Sequence, residues 1–490
     1  MKEIKQLAGQ TLVYGLGTIV PRLLNYLILT PFFTRVFSPS QYGIFTELYS
    51  YVVFLLVLLT YGMETGFFRF ASEKEQAGRV YTTSLISLFT TSAIFIFISQ
   101  LFADQWALWL DYEGQESYIK IFSLIVAIDA FSAIPFAKLR YQNKAYKFGW
   151  LKIASVLINV FFNLFFFIIV PRVVSTHPDL AFFSWYNPEY GVGYAFLANL
   201  IASSITLILL LPEIFDLQDK FDGKLWRQML HYSFPLLLVG LAGMINEVFD
   251  KLVMKHLIEG KDALSSVGIY GANYKIAVLM TLFVMMFRTA AEPFFFSKMK
   301  QTDAKMIYAE VMRLFVGFGW LIFLFVMAYL QIIKYFIGEA FHEGTIIVPI
   351  ILIANFFLGI LYNLSVWYKV TNRTWYGALI AFIGATITIL LNIILIPKVG
   401  YIGAAWATFI CYFIMMTISY YLGRKFYRVP YDLKSIAGYS ILALFLYTAL
   451  YFTGSSPYWY LINTAIIAIY LVVFVKNEKL WLFLKKNPTP

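Results

Sequence analysis

Charge is scarce in this 490-residue chain, at 13% of residues against 60% hydrophobic. The few ionisable groups inside long apolar stretches are therefore where chemistry must be sought. A charge at the centre of a membrane helix costs on the order of 2.5–3.5 kcal/mol on insertion scales, so it ordinarily faces a partner or a watery cavity. Arg22 lies near the middle of the first such stretch and Asp129 at similar depth in the fourth. Glu247, Asp250 and Lys251 fall in the outer third of the seventh, and Lys275 at similar depth in the eighth. A guanidinium stays charged and presents paired donors that match phosphate oxygens, which makes Arg22 a candidate phosphate clamp. Lys275 and Lys251 are further candidates for the same anion.

Each has a competing structural reading. Arg22 could pair with Asp129 or a backbone carbonyl, and Lys275 could be neutralised by Glu247 or Asp250. Glu247 lies one helical turn before Lys251, where an ion pair is favourable, and Asp250–Lys251 could hold spans seven and eight in register. Asp129 could carry a coupling proton or cation, or tie two helices. Pro21 frees a backbone carbonyl beside Arg22 and can kink its helix, either as a hinge or as a plain bend. Glu64, Arg69, Arg288, Glu292, Glu310 and Arg313 gather near the inner ends of spans two, eight and nine. They read either as interfacial salt bridges or as an inner gate; Arg69 and Arg288 could also attract an anionic headgroup.

Other chemistries find little support. The single cysteine, Cys411, forbids an intramolecular disulfide. His177, His231, His256 and His342 are too dispersed for a metal-ligand spacing. No Gly-rich phosphate loop of the P-loop type occurs, so no ATP hydrolysis, cofactor or metal is expected. The net charge of +11 would suit nucleic acid, but the basic residues sit in short loops between spans, where they set topology.

The elements that must position these groups are apolar stretches of twenty or more residues, each long enough to cross about 30 Å of hydrocarbon. Spans are expected near 10–34, 42–68, 80–102, 118–138, 150–171 and 191–212, then 231–256, 266–296, 307–331, 345–368, 375–396, 403–423, 436–453 and 459–475. The fold class is thus all-α integral membrane, with about fourteen transmembrane helices. The 266–296 stretch is too long for one straight crossing. Lys2 and Lys5 precede an apolar run with no cleavage site, which reads as a retained first helix.

With both termini cytoplasmic, 26 of the 38 Lys and Arg fall in inner tails and loops. Six fall in outer loops: Arg35, Arg172, Lys255, Lys261, Lys334 and Lys398. That imbalance fits the positive-inside rule. The outer loop at 104–117 holds Asp104, Asp111, Glu113 and Glu116 without a basic residue. Trp106, Trp109, Trp185, Trp375 and Trp459 fall near span ends, as interfacial anchors do. The segment 213–230 mixes charged and apolar residues and is expected on the inner surface, as a partly amphipathic helix or a plain linker.

The halves repeat. Tyr42-Gly43-Ile44-Phe45 matches Val267-Gly268-Ile269-Tyr270, and the aromatic cluster Phe67-Phe68 matches Phe294-Phe295-Phe296. Asn163 leads to Pro171-Arg172 and then Gly191-Val192-Gly193-Tyr194-Ala195; Asn392 leads to Pro397-Lys398 and then Gly400-Tyr401-Ile402-Gly403-Ala404. Copies six spans apart run in the same direction, implying two parallel six-helix lobes. The expected organisation is an N-lobe at 1–212, a cytoplasmic linker at 213–230, and a C-lobe at 231–424. Two extra C-terminal helices and a cytoplasmic tail complete it at 425–490.

Asn246-x-x-x-Asp250-Lys251, Gly268-Ile269-Tyr270-x-x-x-Tyr274-Lys275, Glu292-Pro293-Phe294-Phe295 and Gly400-x-x-Gly403-Ala404-Ala405 together resemble the polysaccharide transporter (oligosaccharide flippase) family. That family belongs to the multidrug/oligosaccharidyl-lipid/polysaccharide exporter superfamily. The resemblance implies a V-shaped pair of lobes, with spans one, two, seven and eight lining a cavity. It implies translocation of undecaprenyl-diphosphate-linked oligosaccharide from the inner to the outer leaflet of a bacterial inner membrane, by alternating access, for cell-surface polysaccharide synthesis. Lipid II flippases are similar in placing a cavity arginine in span one, which would cast Arg22 as the diphosphate ligand. The implied partners are the lipid-linked oligosaccharide, membrane lipids and polysaccharide assembly enzymes, with no nucleic acid. Rival readings are a multidrug/cation antiporter, which calls for acidic cavity residues, and a membrane saccharide polymerase or ligase. The outer loop at 172–190, with only His177 and Asp179, offers such an enzyme little. A scaffold in an envelope-synthesis complex is a third.

Overall fold

The computed structural model describes residues 2–479 except 73–75, 178, 180, 218, 261 and 454–456; side chains of 2–18, Tyr451 and Thr453 also lie outside the description. Lys2, Lys5, Lys74 and Lys261, counted above for topology, therefore lie outside the described side chains, as does the tail from 480 onward. The described residues form helices and no strand. The chain divides into two compact units, Met1–Leu252 and Val253–Pro490.

The first unit begins with α1 (Lys2–Val36), α2 (Pro39–Thr60), α3 (Met63–Ala71), α4 (Ala77–Leu101), the short α5 (Ala103–Trp109) and α6 (Glu116–Tyr141). It continues through α7 (Ala145–Leu164), α8 (Val170–Thr176), α9 (Gly193–Leu209), α10 (Leu211–Phe215) and most of α11 (Gly223–Leu257). The second unit holds α12 (Ala263–Ile276), α13 (Val278–Lys298), α14 (Ala304–Ala328), α15 (Leu330–Ile333) and α16 (Val348–Leu364). It ends with α17 (Val366–Val370), α18 (Trp375–Val399), α19 (Tyr401–Phe426), α20 (Leu433–Thr453) and α21 (Trp459–Asn477).

Among the described residues, eleven helical segments are long and apolar enough to cross a membrane, or twelve if the bent pair Ala181–Tyr190 and Gly193–Leu209 is one span. The expected fourteen is not confirmed among them. At the two other expected positions lie α1 and α11, helices of 35 residues that fall outside that count.

Local chemistry sets the ends and breaks. Ser38 accepts from the Gln41 amide at 3.3 Å while Gln41 Oε1 accepts from the Ser38 amide at 3.2 Å; Pro39 opens α2 behind this capping box. The second span then breaks at Tyr61 and Gly62, both left-handed at φ 32° and 70°. The fifth carries a π-helical turn at Phe165–Ile169. Pro171 follows, lacks a donor for the carbonyl four residues back, and so favours a widened turn there. The 266–296 stretch, expected as one long crossing, is divided at Ala277 into α12 and α13. Asn273 secures α12 by donating to Ile269 O at 2.9 Å and Phe341 O at 2.8 Å.

The 213–230 segment is not a single surface helix. It is the end of α10, an extended turn, and the start of α11. Lys138 on α6 holds the turn through Asp216, at 2.9 Å to both its carbonyl and its carboxylate. Asp222 caps α11 by accepting from the amides of Leu225 and Lys224. The Leu225 amide, first among these, holds the Asp222 carboxyl below the usual carboxylate range.

The repeat is visible as packing. In the first unit α4 lies on α6, α6 on α2 and α9, and α7 on α9; in the second α14 lies on α16, α16 on α13 and α19, and α18 on α19. Gly191 and Gly400 adopt the same backbone, φ 52°, ψ −119° and φ 61°, ψ −144°, which a side chain would strain by about 1–3 kcal/mol. Asn163 and Asn392 are both fully buried, and each donates to the carbonyl four residues back. Helices α20 and α21 pack on α14. Arg313 fastens that packing by pairing with Glu478 at 2.9 Å and Asp432 at 3.5 Å. Cys411 is buried between α18 and α19, with its sulfur 3.2 Å from Thr388 Oγ1.

Candidate functional site

Four helices of the first unit, α2, α6, α7 and α9, bring polar groups together within apolar sequence, and α1 adds Arg22. Asp129 on α6 accepts a 2.9 Å hydrogen bond from Ser203 Oγ on α9. Tyr49 on α2 accepts from Asn199 Nδ2 on α9 at 2.6 Å, and its hydroxyl acts electrostatically on Asp129. Lys152 on α7 rests 3.8 Å over the Phe136 ring and also acts on Asp129. Arg22 is exposed on the surface of α1, directly after buried Pro21, and its charge reaches Lys152.

The contacts described for the α11 group fall within one helical turn. Lys251 Nζ lies 3.0 Å from Asp250 Oδ1 and donates to the Glu247 carbonyl at 3.1 Å, so the described contact with Glu247 runs through the backbone. Asp250 also accepts from the Lys251 amide at 2.8 Å. Asp250 is buried and Glu247 exposed.

In the second unit, Lys275 is exposed on α12, two residues before the Ala277 break. The Arg288 guanidinium lies 4.6 Å over the Tyr362 ring, and Glu292 pairs with Lys369 at 2.8 Å. Glu64, in the first unit, pairs with Arg140, whose guanidinium also stacks over Phe68 at 4.9 Å. Arg69 is exposed at the end of α3. Arg313 is drawn into the Glu478–Asp432 network instead of the cluster with Glu310.

Three charged residues passed over in the sequence join these groups. Lys152 reads as one more inner-loop cation after Lys144 and Lys147, yet α7 starts at Ala145 and carries it into the helix cluster. Glu47 is fully buried on α2 and accepts from Tyr112 Oη at 2.6 Å. A glutamate five residues into an apolar stretch was the available signal. Lys369 gave none, since its partner Glu292 is far off in sequence.

A family model described as "Polysaccharide biosynthesis protein" matches residues 7–299. No curated relative matches the sequence. Among solved structures, the lipid II flippase MurJ in an inward closed conformation superposes with TM-score 0.74 at 18% identity, covering 96% of this chain and 100% of that one. An inward-facing multidrug resistance MATE transporter of the MOP superfamily gives 0.64 at 13%, covering 84% and 94%. A MOP superfamily transporter from Pyrococcus furiosus Vc1 gives 0.53 at 12%, covering 85% and 94%. These likenesses show a shared multi-pass helical fold.

Proposed function

Since the chain belongs to the polysaccharide biosynthesis protein family, we propose that it is a flippase carrying undecaprenyl-diphosphate-linked oligosaccharide from the inner to the outer leaflet of a bacterial inner membrane. The observation that carries this reading is the pairing of exposed cations with helix irregularities. Arg22 follows Pro21 and Lys275 precedes the Ala277 break, both within otherwise apolar helices. Freed backbone carbonyls and a cation together suit a polar headgroup whose lipid tail stays in hydrocarbon. In this reading Arg22 and Lys275 are each candidate ligands of the diphosphate, the protein moves by alternating access, and Lys251 and Asp250 support α11. Glu64–Arg140 and Glu292–Lys369 act as struts, each within its own unit, and Arg69 and Arg288 draw the anion inward.

The test is reconstitution in liposomes with a polyprenyl-diphosphate-linked oligosaccharide, scoring its arrival in the opposite leaflet. Flipping no faster than in protein-free vesicles overturns the proposal. An inside-negative potential favours outward movement of anions by roughly 2.3 kcal/mol per charge per 100 mV across the full field. Flipping is therefore expected to speed up severalfold under an imposed inside-negative potential, and equal rates with and without it discard potential as the driving force. Asp129 favours one alternative, a cation-coupled exporter of the multidrug branch. That reading predicts efflux of a cationic dye by the same vesicles.

A further inference from the structure

A cleft of about 1200 Å³ opens where α11 begins, bounded by Arg79 on α4, by Lys220 and Phe221, and by Lys224, Trp226 and Arg227 in the first turn of α11. We propose that this cleft binds the headgroup of an anionic phospholipid from the adjoining leaflet. The proposal does not depend on which cargo the protein moves.

The chain between α10 and α11 can form the cleft because it is tied down at three points. Lys138 holds Asp216 at 2.9 Å, the Asp222 amide donates to Thr83 Oγ1 at 3.2 Å, and the Trp226 indole donates to Ser87 Oγ at 2.8 Å. Thr83 and Ser87 stand one turn apart on α4, so the turn and the start of α11 are both fastened to one helix face. The cations Arg79, Lys220, Lys224 and Arg227 are all exposed. Two carboxylates share the cleft with them. Asp222 is already engaged, capping α11 and lying 3.8 Å from Arg79. That leaves Lys220, Lys224 and Arg227 against Asp219. Among the described residues no carboxylate forms an ion pair with any of those three cations.

Two observations favour a lipid over a soluble phosphate. The amides that would grip a compact anion at the helix start are taken, since those of Lys224 and Leu225 donate to Asp222. Recognition therefore falls to side-chain cations, which suits the charged surface of a bilayer. Apolar side chains also flank these cations. Phe215, Leu217 and Phe221 are 76%, 47% and 44% exposed, and the Phe221 ring lies 6.3 Å from that of Trp226. Apolar groups set beside cations match an amphiphile, whose phosphate meets the charges while its chains cover the rings. A bound headgroup bridges α4 to α11 and fastens the segment that joins the two repeated halves in sequence.

The test titrates the full-length protein, in a neutral detergent, with dioleoyl phosphatidylglycerol and counts bound lipid by native mass spectrometry. Wild type is expected to bind it at least tenfold more tightly than dioleoyl phosphatidylcholine. Each Lys or Arg near an anionic lipid surface is worth about fivefold in affinity, so Lys220→Gln, Lys224→Gln and Arg227→Gln together should weaken binding roughly a hundredfold. A control removes the same charge from exposed positions outside the cleft, through Lys300→Gln, Arg424→Gln and Arg428→Gln, and is expected to bind as wild type does. Equal weakening in both triple variants overturns the site and leaves only general attraction to basic surface. Lys220→Arg, Lys224→Arg and Arg227→Lys together keep the charges and are expected to keep the binding; its loss there overturns recognition by charge. Glycerol phosphate carries the phosphate without chains and is expected to leave the lipid in place. Displacement of the lipid at equal concentration would assign the cleft to a soluble phosphate instead.

Discussion

Arg22→Ala is expected to slow flipping of a diphosphate-linked oligosaccharide roughly ten- to a hundredfold in reconstituted vesicles. Hydrogen bonds to charged groups contribute about 1.5–3 kcal/mol each, and every 1.4 kcal/mol is a tenfold change. Arg22 supplies such donors on an exposed helix face beside Pro21. Arg22→Lys keeps the charge but not the planar fork, so its rate should fall between the two. Rates for Arg22→Ala within twofold of wild type, at equal protein density, would remove Arg22 from the transport path. A scaffold protein predicts that result, because nothing in scaffolding asks for a cation at this depth.

Gly403→Ala is expected to be among the most destabilising single-methyl additions in the second unit. A Cβ at Gly403 would lie 2.5 Å from the Leu395 carbonyl oxygen and 2.6 Å from its carbon. These are backbone atoms of α18, so no rotamer change can clear the space. Overpacking of this kind costs about 1–3 kcal/mol or more, because α19 must move off α18. Gly438→Ala on α20 is the matching control: its Cβ meets nothing within 4 Å, and alanine favours helix over glycine by about 1 kcal/mol. Thermal unfolding in detergent should place Gly403→Ala well below wild type and Gly438→Ala at or above it. Equal melting of the two would mean that the α18–α19 contact is slack.

The spans were legible because hydropathy needs no partner: a twenty-residue apolar run declares itself. The repeat was legible too, and Gly191 and Gly400 show why, since one backbone conformation closed to side chains preserves one residue type in both copies. Breaks inside spans were harder. Nothing in Tyr61 announces a left-handed residue, and Ala277 is an ordinary helix former at the point where α12 gives way to α13. The charged residues divided along the same line. Arg22 and Asp129 stood out against apolar neighbours. Lys152 hid behind Lys144 and Lys147, because a linear reading cannot tell the last loop cation from one that the helix carries into its cluster. The partners of Glu64, Glu292 and Arg313 were closed to the sequence for a simpler reason: Arg140, Lys369 and Glu478 lie dozens of residues or more away.

The enclosure of Cys411 between α18 and α19 makes the natural chain a ready background for thiol labelling. Its sulfur is shielded by Thr388 and Met415, so a membrane-impermeant maleimide should leave the unmodified protein untouched. Reporter cysteines can then be introduced singly at exposed Trp109 or Phe221 without first deleting the native one. Labelling from opposite sides of sealed vesicles would read out directly which face of the bilayer each position occupies.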